Sequence, residues 1–369
     1  MQEKLTIIDI ARMAGVSKAT VSRVLNNNPT VDEEMRERVM RVVREHDFVP
    51  NVTARGLAGG HTHLIGVLAP PLVWPAVPEI MRGVAEYIEY TDYEIVLYSI
   101  NFENVERNHS DILDRILTLR LASGLLAIFP GALSHYLTQH FQHGLPVVMI
   151  DDQEAPTRIP SVGIDNKASA YTATRHLLEL GHTRIAHIRG PENYYCAMER
   201  YDGYRQALQE AGITPDPSLL LQGSFEPISG RECAEALFSR SRAIWPDAIF
   251  ASNDQMAYGV LAYAEKHGIH VPEEVSVIGF DDNILSAHMR PPLTTIHQPF
   301  SEMGYKATEI LLTMINPQHR LGENLKTARQ TSGYSLDAAL KGDPIHVQLP
   351  TSLITRASSD RSHNESRDL

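Results

Sequence analysis

From His63 onward the chain alternates short apolar runs with longer mixed stretches. LIGVLAP, YEIVLYSI, GLLAIFP and PVVMIDD are the first four runs, and helical patterning falls near 78–90, 104–121 and 134–143. A second series follows: RIAHIRG, SLLLQGS, AIFASND and VSVIGFDD, with helical patterning near 166–180, 196–212, 227–240 and 254–267. Apolar runs alternating with helices predict parallel sheets covered on both faces. Two series predict two doubly wound α/β lobes.

The first sixty residues show no such alternation. Leu5 to Asn26, LTIIDIARMAGVSKATVSRVLN, reads as two short helices about a tight turn. Thr6 can cap the first helix, with Asp9 three residues on, where a carboxylate meets free amides. Ile7, Ile10, Ala11 and Ala14 give it an apolar stripe. Gly15 supplies a residue that tolerates positive φ. Ser17 caps a second helix carrying Ala19, Thr20, Val21, Val24 and Leu25, whose exposed face holds Lys18, Ala19, Ser22 and Arg23. Asn26 to Pro29 break it. Asp32 can cap a third helix with Met35, Val39, Val42 and Val43 on its buried side. This is the pattern of a helix-turn-helix head with a minimal three-helix core, and equally of an ordinary helical hairpin.

Composition narrows the field. The 369 residues are 43% apolar, enough for sizeable cores and more than one domain. No run approaches the roughly 18 apolar residues of a membrane helix. The N-terminus lacks a signal-peptide core, and only Cys196 and Cys233 are present, so a cytoplasmic protein without a disulfide framework is expected. The net charge of −12 argues against nucleic acid until it is divided. Residues 1–60 hold 9 Lys/Arg against 8 Asp/Glu, or +1, and the remainder 24 against 37, or −13. A near-neutral head on an acidic body fits a DNA-binding segment whose basic side chains gather on one face.

Candidate chemistry lies at the strand ends, where ligands of doubly wound sheets bind. Asp151 follows PVVMI, Asn253 and Asp254 follow AIFAS, and Asp281 and Asp282 follow VSVIGF; Arg200 lies in AMERYDGY. Carboxylates, an amide and a guanidinium suit a polyhydroxylated ligand, and Trp74 and Phe300 can supply an apolar face. For Asp254 and Asp282 the expected role is helix capping. Catalysis is not expected. Asp281 and Asp282, if extended, point to opposite sides and make a poor acid/base pair, and there is no GxSxG or HExxH. His61/His63 and His140/His143 lack partners at metal-ligand spacing. No GxGxxG follows the first strand, so neither a dinucleotide nor any other cofactor is expected.

Between head and body lies FVPNVTARGLAGGHTH, residues 48–63. It reads either as a plain linker or as a short hinge helix from Asn51 to Leu57, with Leu57 an apolar wedge in the minor groove. TIIDIARMAGVSKATVSRVLN followed by VPNVTARGLAGG resembles the lactose/galactose repressor (LacI/GalR) family of bacterial transcription regulators. The likeness runs to about residue 316 and resumes at QLPTSLITRAS. It implies that Lys18, Ala19 and Arg23 face base edges, that Ser17, Thr20, Ser22 and Asn26 face phosphates, and that Asn51, Ala54, Arg55 and Leu57 contact DNA from the hinge. It implies two lobes like a periplasmic sugar-binding protein, with the chain crossing three times between them. It assigns Asp281, Asn253 and Arg200 to ligand contact, and places Pro70, Trp74, Ala76 and Cys196 in the cleft; Asp151 and Phe300 join the expected effector site from the strand-end reading and the apolar face above.

The expected limits are a helix-turn-helix head at 1–48 and a hinge at 49–62. The first lobe takes 63–161 and 292–320, the second 162–291 and 321–357, and a disordered tail 358–369. The stretch between residue 317 and the last strand is longer than the family needs, and Leu336 to Leu340 reads as a helical turn. The tail lacks Leu heptads, so a homodimer rather than a tetramer is expected. The expected partners are double-stranded DNA with a near-palindromic operator and a small-molecule effector, a sugar first and a purine-like molecule second. A transport-type sugar-binding protein is the rival for the body alone.

Overall fold

The computed structural model describes residues 5–25, 30–48, 62–100, 122–151, 158–316 and 345–360. The expected helix at 104–121, the hinge residues Asn51 to Leu57, Asn26, and the 317–344 and 361–369 stretches lie outside them. The chain divides into two compact units, the first covering Met1–Thr62 and the second nearly all that follows His63. No described helix is long and apolar enough to cross a membrane.

In the first unit, α1 (Ile7–Ala14) starts with a complete capping box: Thr6 N donates to Asp9 Oδ2 at 2.9 Å and Asp9 N to Thr6 Oγ1 at 3.4 Å. Gly15 ends it at φ 64°, a left-handed geometry that a side chain would oppose. Ser17 Oγ then accepts from Thr20 N at 3.1 Å and starts α2 (Lys18–Leu25). Asp32 caps α3 (Glu33–Glu45) by accepting from Glu34 N at 3.0 Å. Ile10, Ala11, Ala14, Val21, Val24 and Val39 form the buried core. Met35, expected in that core, is exposed; Met40 packs there together with Val42 and Val43.

The second unit holds two six-stranded sheets. The first is ordered β11-β5-β4-β3-β1-β2 and parallel throughout: β1 (Leu64–Ala69), β2 (Glu94–Ser99), β3 (Gly124–Ile128), β4 (Val147–Ile150), β5 (Ser161–Ile164) and β11 (His346–Leu349). The second is ordered β12-β10-β9-β8-β6-β7: β6 (Ile185–Arg189), β7 (Leu220–Gln222), β8 (Ala248–Ala251), β9 (Ser276–Asp281), β10 (Thr294–His297) and β12 (Ser352–Ile354). Only β12 runs antiparallel, at an edge. The helices α4 (Ala76–Ile88), α5 (Ser134–Gln142) and α10 (Phe300–Ile315) serve the first lobe; α6 (Asn166–Glu179), α7 (Tyr195–Glu210), α8 (Pro227–Phe238) and α9 (Asp254–His267) serve the second. Ile65 and Val67 of β1, all of β3 and all of β4 are buried, as expected of central parallel strands covered by helices.

The lobe limits differ from expectation. β5 pairs with β4, so the first crossing falls at Asp165, not 161. β10 pairs with β9, so the second falls at Gln298 and Pro299, not 292. β11 pairs with β5 in the first lobe, so the third falls at Pro350 and Thr351, not 321. These strands, SVGI, TTIH and HVQL, are short and mixed in polarity, so no apolar run announces them. The expected tail also begins too early. Ser358 and Ser359 are fully buried; Ser358 Oγ donates to the Val277 carbonyl at 2.6 Å, and Ser359 Oγ lies 2.8 Å from Thr294 Oγ1.

In the first lobe α4 and α10 cross where Gly83 and Gly304 meet. A Cβ on Gly83 would overlap the Ser301 carbonyl, and one on Gly304 the Ile80 carbonyl. Contact this close excludes a side chain from either position. Gly83→Ala should therefore force the helices apart and cost about 1–3 kcal/mol, read as a lowered urea midpoint. An unchanged midpoint would mean that the two helices are not in such contact.

Candidate functional site

Two groups of residues stand out, one in each unit. On the head, Val21 and Val24 turn inward, leaving Lys18, Ala19 and Arg23 exposed and Ser22 half-buried on the outer side of α2. Ser17 and Thr20 are less available. Their hydroxyls lie 2.9 Å apart, and that of Ser17 caps the helix. The outer face is thus short, basic and free of bulky apolar groups, as a helix that enters a groove requires.

In the body, polar side chains at the carboxyl ends of both sheets come within electrostatic reach of one another. Arg200, on α7, is 3% exposed. Its Nε donates to Asn166 Oδ1 at 2.8 Å and its Nη1 to the Ser252 carbonyl at 2.6 Å; the guanidinium carbon lies 3.7 Å from the centre of the Phe280 ring. Nη2 has no hydrogen-bond partner among the described residues. Asp281 lies 3.9 Å from Nη1, too far for a hydrogen bond but within strong electrostatic reach. Gln298, in the second crossing, donates through Nε2 to Asp281 Oδ1 at 2.7 Å, while its buried Oε1 has no partner.

Asp151 comes from the other lobe, just past β4. It is 7% exposed, and its carboxylate accepts no hydrogen bond from a described residue. Burial pushes its pKa up to about 6, with the Arg200 charge pulling the other way. Burial likewise raises Asp281, again opposed by Arg200, with Asp254 and Asp151 adding to the rise. Cys196, one turn before Arg200, is pushed up to about 12 by burial. Its thiol stays protonated and unreactive. His187 lies beneath the cleft, stacked 4.8 Å from both Tyr204 and Phe250, and burial pushes it down to about 3. Its Nδ1 lies 3.0 Å from the Phe250 carbonyl, so in the neutral ring Nδ1 is the donor.

Other expected site residues sit as follows. Pro70 is buried at the end of β1. Trp74 and Ala76 are half-buried, Trp74 with its ring 6.0 Å from that of Phe129. Phe300 is 6% exposed and belongs to the core beneath α10. Asn253 is the N-cap of α9, accepting from Met256 N at 3.0 Å and donating to the Phe225 carbonyl at 2.9 Å. It holds the capping role expected of Asp254. Asp254 instead sits one residue inside the helix, fully buried, accepting from Ser286 Oγ and Thr295 Oγ1 at 2.6 Å and Asn283 N at 2.8 Å. Asp282 is no cap either; it binds Arg356 at 2.7 Å and His297 at 3.0 Å. Nor are Asp281 and Asp282 extended, since their φ angles are 118° and 58°.

Sequence reasoning missed Gln298, Asn166 and the Tyr194–Phe225 aromatic pair, whose rings lie 5.4 Å apart edge to face. Phe225 directly follows the SLLLQGS run, so its place at a strand end was available. Gln298 and Asn166 carried no signal, because they lie at crossings that the apolar pattern does not mark.

Known proteins share this organisation. Residues 6–51 match the family model described as bacterial regulatory proteins, lacI family, and residues 174–359 match a periplasmic binding protein-like domain. The HTH-type transcriptional regulator DegA of Bacillus subtilis is 36% identical over 306 residues, covering 82% of this chain and 88% of that protein. The transcriptional regulator CelR–cellobiose complex superposes with a TM-score of 0.67 at 28% identity, covering 96% of this chain and 99% of the other. The lac repressor dimer bound to operator and the anti-inducer ONPF superposes with a TM-score of 0.77 at 26% identity, covering 97% and 99%.

The raised carboxyl of Asp151 has a thermodynamic consequence. A folded-state pKa above the ordinary 3.8 means that the native protein holds this proton more tightly than the unfolded chain. The ionised carboxylate therefore lowers stability as pH rises from 3.8 through about 6, and the whole cost is present above that. Asp151→Asn should stabilise the body at about pH 8 by up to ~3 kcal/mol, with the gain vanishing near pH 4. Calorimetric melting across that range reads the difference; a gain independent of pH would contradict the assignment.

Proposed function

The chain belongs to the LacI family of bacterial regulatory proteins, and from that premise we propose how it works as a ligand-responsive, sequence-specific DNA-binding repressor. Lys18, Ala19 and Arg23 read base edges in the major groove. Ser17, Thr20, Ser22 and Asn26 hold phosphates, and Asn51, Ala54, Arg55 and Leu57 engage the adjacent minor groove. The protein acts as a dimer on a near-palindromic operator, since two-fold protein symmetry asks for a two-fold site. It is a cytoplasmic regulator rather than an enzyme.

The effector is a small molecule, a sugar first, bound between the lobes by Asp151, Arg200 and Asp281, with Trp74, Phe225 and Phe300 as the apolar surroundings. Pro70, Ala76, Cys196 and Asn253 shape the wall. One observation carries this reading. Asp151 belongs to the first lobe, Arg200 and Asp281 to the second, and their charges act on one another. A ligand that bonds to all three favours one lobe spacing over others, and such differential binding is what shifts a two-state regulator. The cellobiose carried by the CelR complex fits a hydroxyl-rich occupant.

Two variants test the two halves separately. Lys18→Ala should lower operator affinity by ~1–3 kcal/mol and relax one base position; equal losses on operator and random DNA in a gel-shift series would make Lys18 a phosphate contact instead. Arg200→Ala removes a charged donor contributing ~1.5–3 kcal/mol, so effector binding should weaken ~10–150-fold while operator binding persists. The variant also strands Asn166 Oδ1 and the Ser252 carbonyl, so its melting temperature falls and the titration belongs well below it. Fluorescence anisotropy of labelled operator with added effector reads the response. If Arg200→Ala responds at the parent's midpoint, the cleft is wrongly placed.

A further inference from the structure

Three carboxyl groups and one guanidinium come within electrostatic reach of one another at the carboxyl ends of the two sheets, and hydrogen-bond donors are shared among them unevenly. Asp254 takes three. Thr295 Oγ1 donates to its Oδ1, and Ser286 Oγ and Asn283 N donate to its Oδ2. The Ser286 hydroxyl hydrogen is thereby used, so the Tyr258 hydroxyl, 2.8 Å away, donates to Ser286. Burial raises the pKa of Asp254 and these donors lower it; a carboxyl ringed only by donors is held as the carboxylate. Asp281 has one donor, Gln298 Nε2, and Asp151 has none among the described residues. Arg200 does not redress this. Its Nε and Nη1 donate to the Asn166 amide oxygen and the Ser252 carbonyl, both neutral, and Asp281 stays 3.9 Å from Nη1. Arg189 Nε and Asn283 Nδ2 are buried and unpaired, so neither reaches a carboxyl; the Arg189 guanidinium lies over the Tyr201 ring beside Glu192.

The charge of Arg200 offsets one carboxylate, and its donors make Asp254 that one. Asp151 on the first lobe and Asp281 on the second are left with a single donor between them, where burying two charges is costly. The other titratable groups that face them add no positive charge. Cys196 on α7 is a neutral thiol, Glu199 beside it is acidic, Tyr258 on α9 is a neutral phenol, and Asp282 is already bound to His297 and Arg356. Burial raises Asp151 to about 6, and Asp254 and Asp151 add to the rise that burial causes at Asp281.

We propose that Asp151 and Asp281 together hold one proton across the two lobes, and that its loss sets like charges on opposite lobes against each other, making lobe spacing, and through it operator binding, sensitive to pH. The device rests on the reading above that lobe spacing governs the DNA head. Its sign follows from linkage. Both groups hold their proton more tightly folded than unfolded, so the stabilisation is complete below the unfolded value of 3.8 and is lost as pH rises through the folded values, from about 6 upward. Acid therefore holds the lobes at the spacing seen here, and mild alkali drives them apart.

The test compares full-length protein with Asp151→Asn, Asp281→Asn and the double variant. Each replacement keeps the size of the side chain, and Asp281→Asn keeps an acceptor for Gln298. Melting temperature and the radius of gyration from small-angle X-ray scattering are read from about pH 6 to about pH 9. In the parent the melting temperature should fall and the radius should rise. Either single variant should remove nearly all of the rise in radius, because one charge has nothing to repel across the lobes, and the double variant should add little. Where one single variant fails to fold, the other carries the same prediction. Independent buried acids behave otherwise: each variant removes its own share, and the shares sum in the double. That additivity, or a parent radius that ignores pH, overturns the proposal. Fluorescence anisotropy of labelled operator over the same range forms a separate arm. Parent affinity should change by ~5-fold or more beyond the change in either single variant. A radius that responds while operator affinity follows the variants' course would uphold the shared proton and refute the reading that lobe spacing governs the head.

Discussion

A single buried guanidinium holds the effector domain's polar interior together. Arg200 is almost without solvent, and a charge so placed persists only when surrounding groups replace water. Asn166 and the Ser252 carbonyl accept two of its hydrogen bonds, and Phe280 gives it a π face. Asp281 Oδ1 lies 3.9 Å away, beyond hydrogen-bond distance. Without Arg200, Asp151 and Asp281 would be buried carboxylates facing each other with nothing to oppose them. The cleft can be acidic because this one cation is already in place.

The same contacts tie the cleft to the crossings between lobes. Asn166, the partner of Arg200, directly follows the first crossing at Asp165. Gln298, the partner of Asp281, lies in the second. Ser169, one turn into α6, is 2.8 Å from Thr351 in the third. Arg200 and Asp281 are thus each one hydrogen bond away from a segment whose dihedrals change when the lobes move. A ligand that draws Asp281 or Arg200 toward Asp151 pulls on the crossings directly, without a relay through the sheets. That is a physical basis for coupling between effector and DNA head, expressed as a bias on lobe spacing.

Much of this was legible in the sequence. The head was readable because its rules are local: Thr6 with Asp9, Gly15 after the first helix, and Ser17 before the second, each acting over three or four residues. The central strands were readable because burial on both faces leaves apolar runs. The edge and crossing strands were not. Thr294 and Thr295 are fully buried, yet their hydroxyls bond Ser359 and Asp254, so polar residues fill core positions and the apolar pattern breaks. Reading the strand ends found Asp151 and Asp281, but not their partners, because Gln298 and Asn166 meet them only through the crossings. The roles of Asn253 and Asp254 were misassigned for a related reason. Both can cap a helix, and only the third dimension shows that Thr295 and Ser286 occupy the carboxylate of Asp254.

Backbone geometry adds a last step. Apart from Asp47 in the head, the described non-glycine residues with φ in the left-handed range are Phe129, Asp151, Phe225, Asp281 and Asp282, at 48°, 51°, 65°, 118° and 58°. Phe129, Asp151 and Asp282 directly follow β3, β4 and β9, Asp281 ends β9, and Phe225 lies three residues beyond β7, all at the carboxyl ends of the sheets. Each such conformation costs of order 1–3 kcal/mol, and it persists only where the surroundings overrule it. Strain and buried carboxyl groups therefore coincide at the carboxyl ends of both sheets, and the parallel central strands beneath them absorb the loss. A carboxyl end built this way is less stable than a neutral, relaxed one would be.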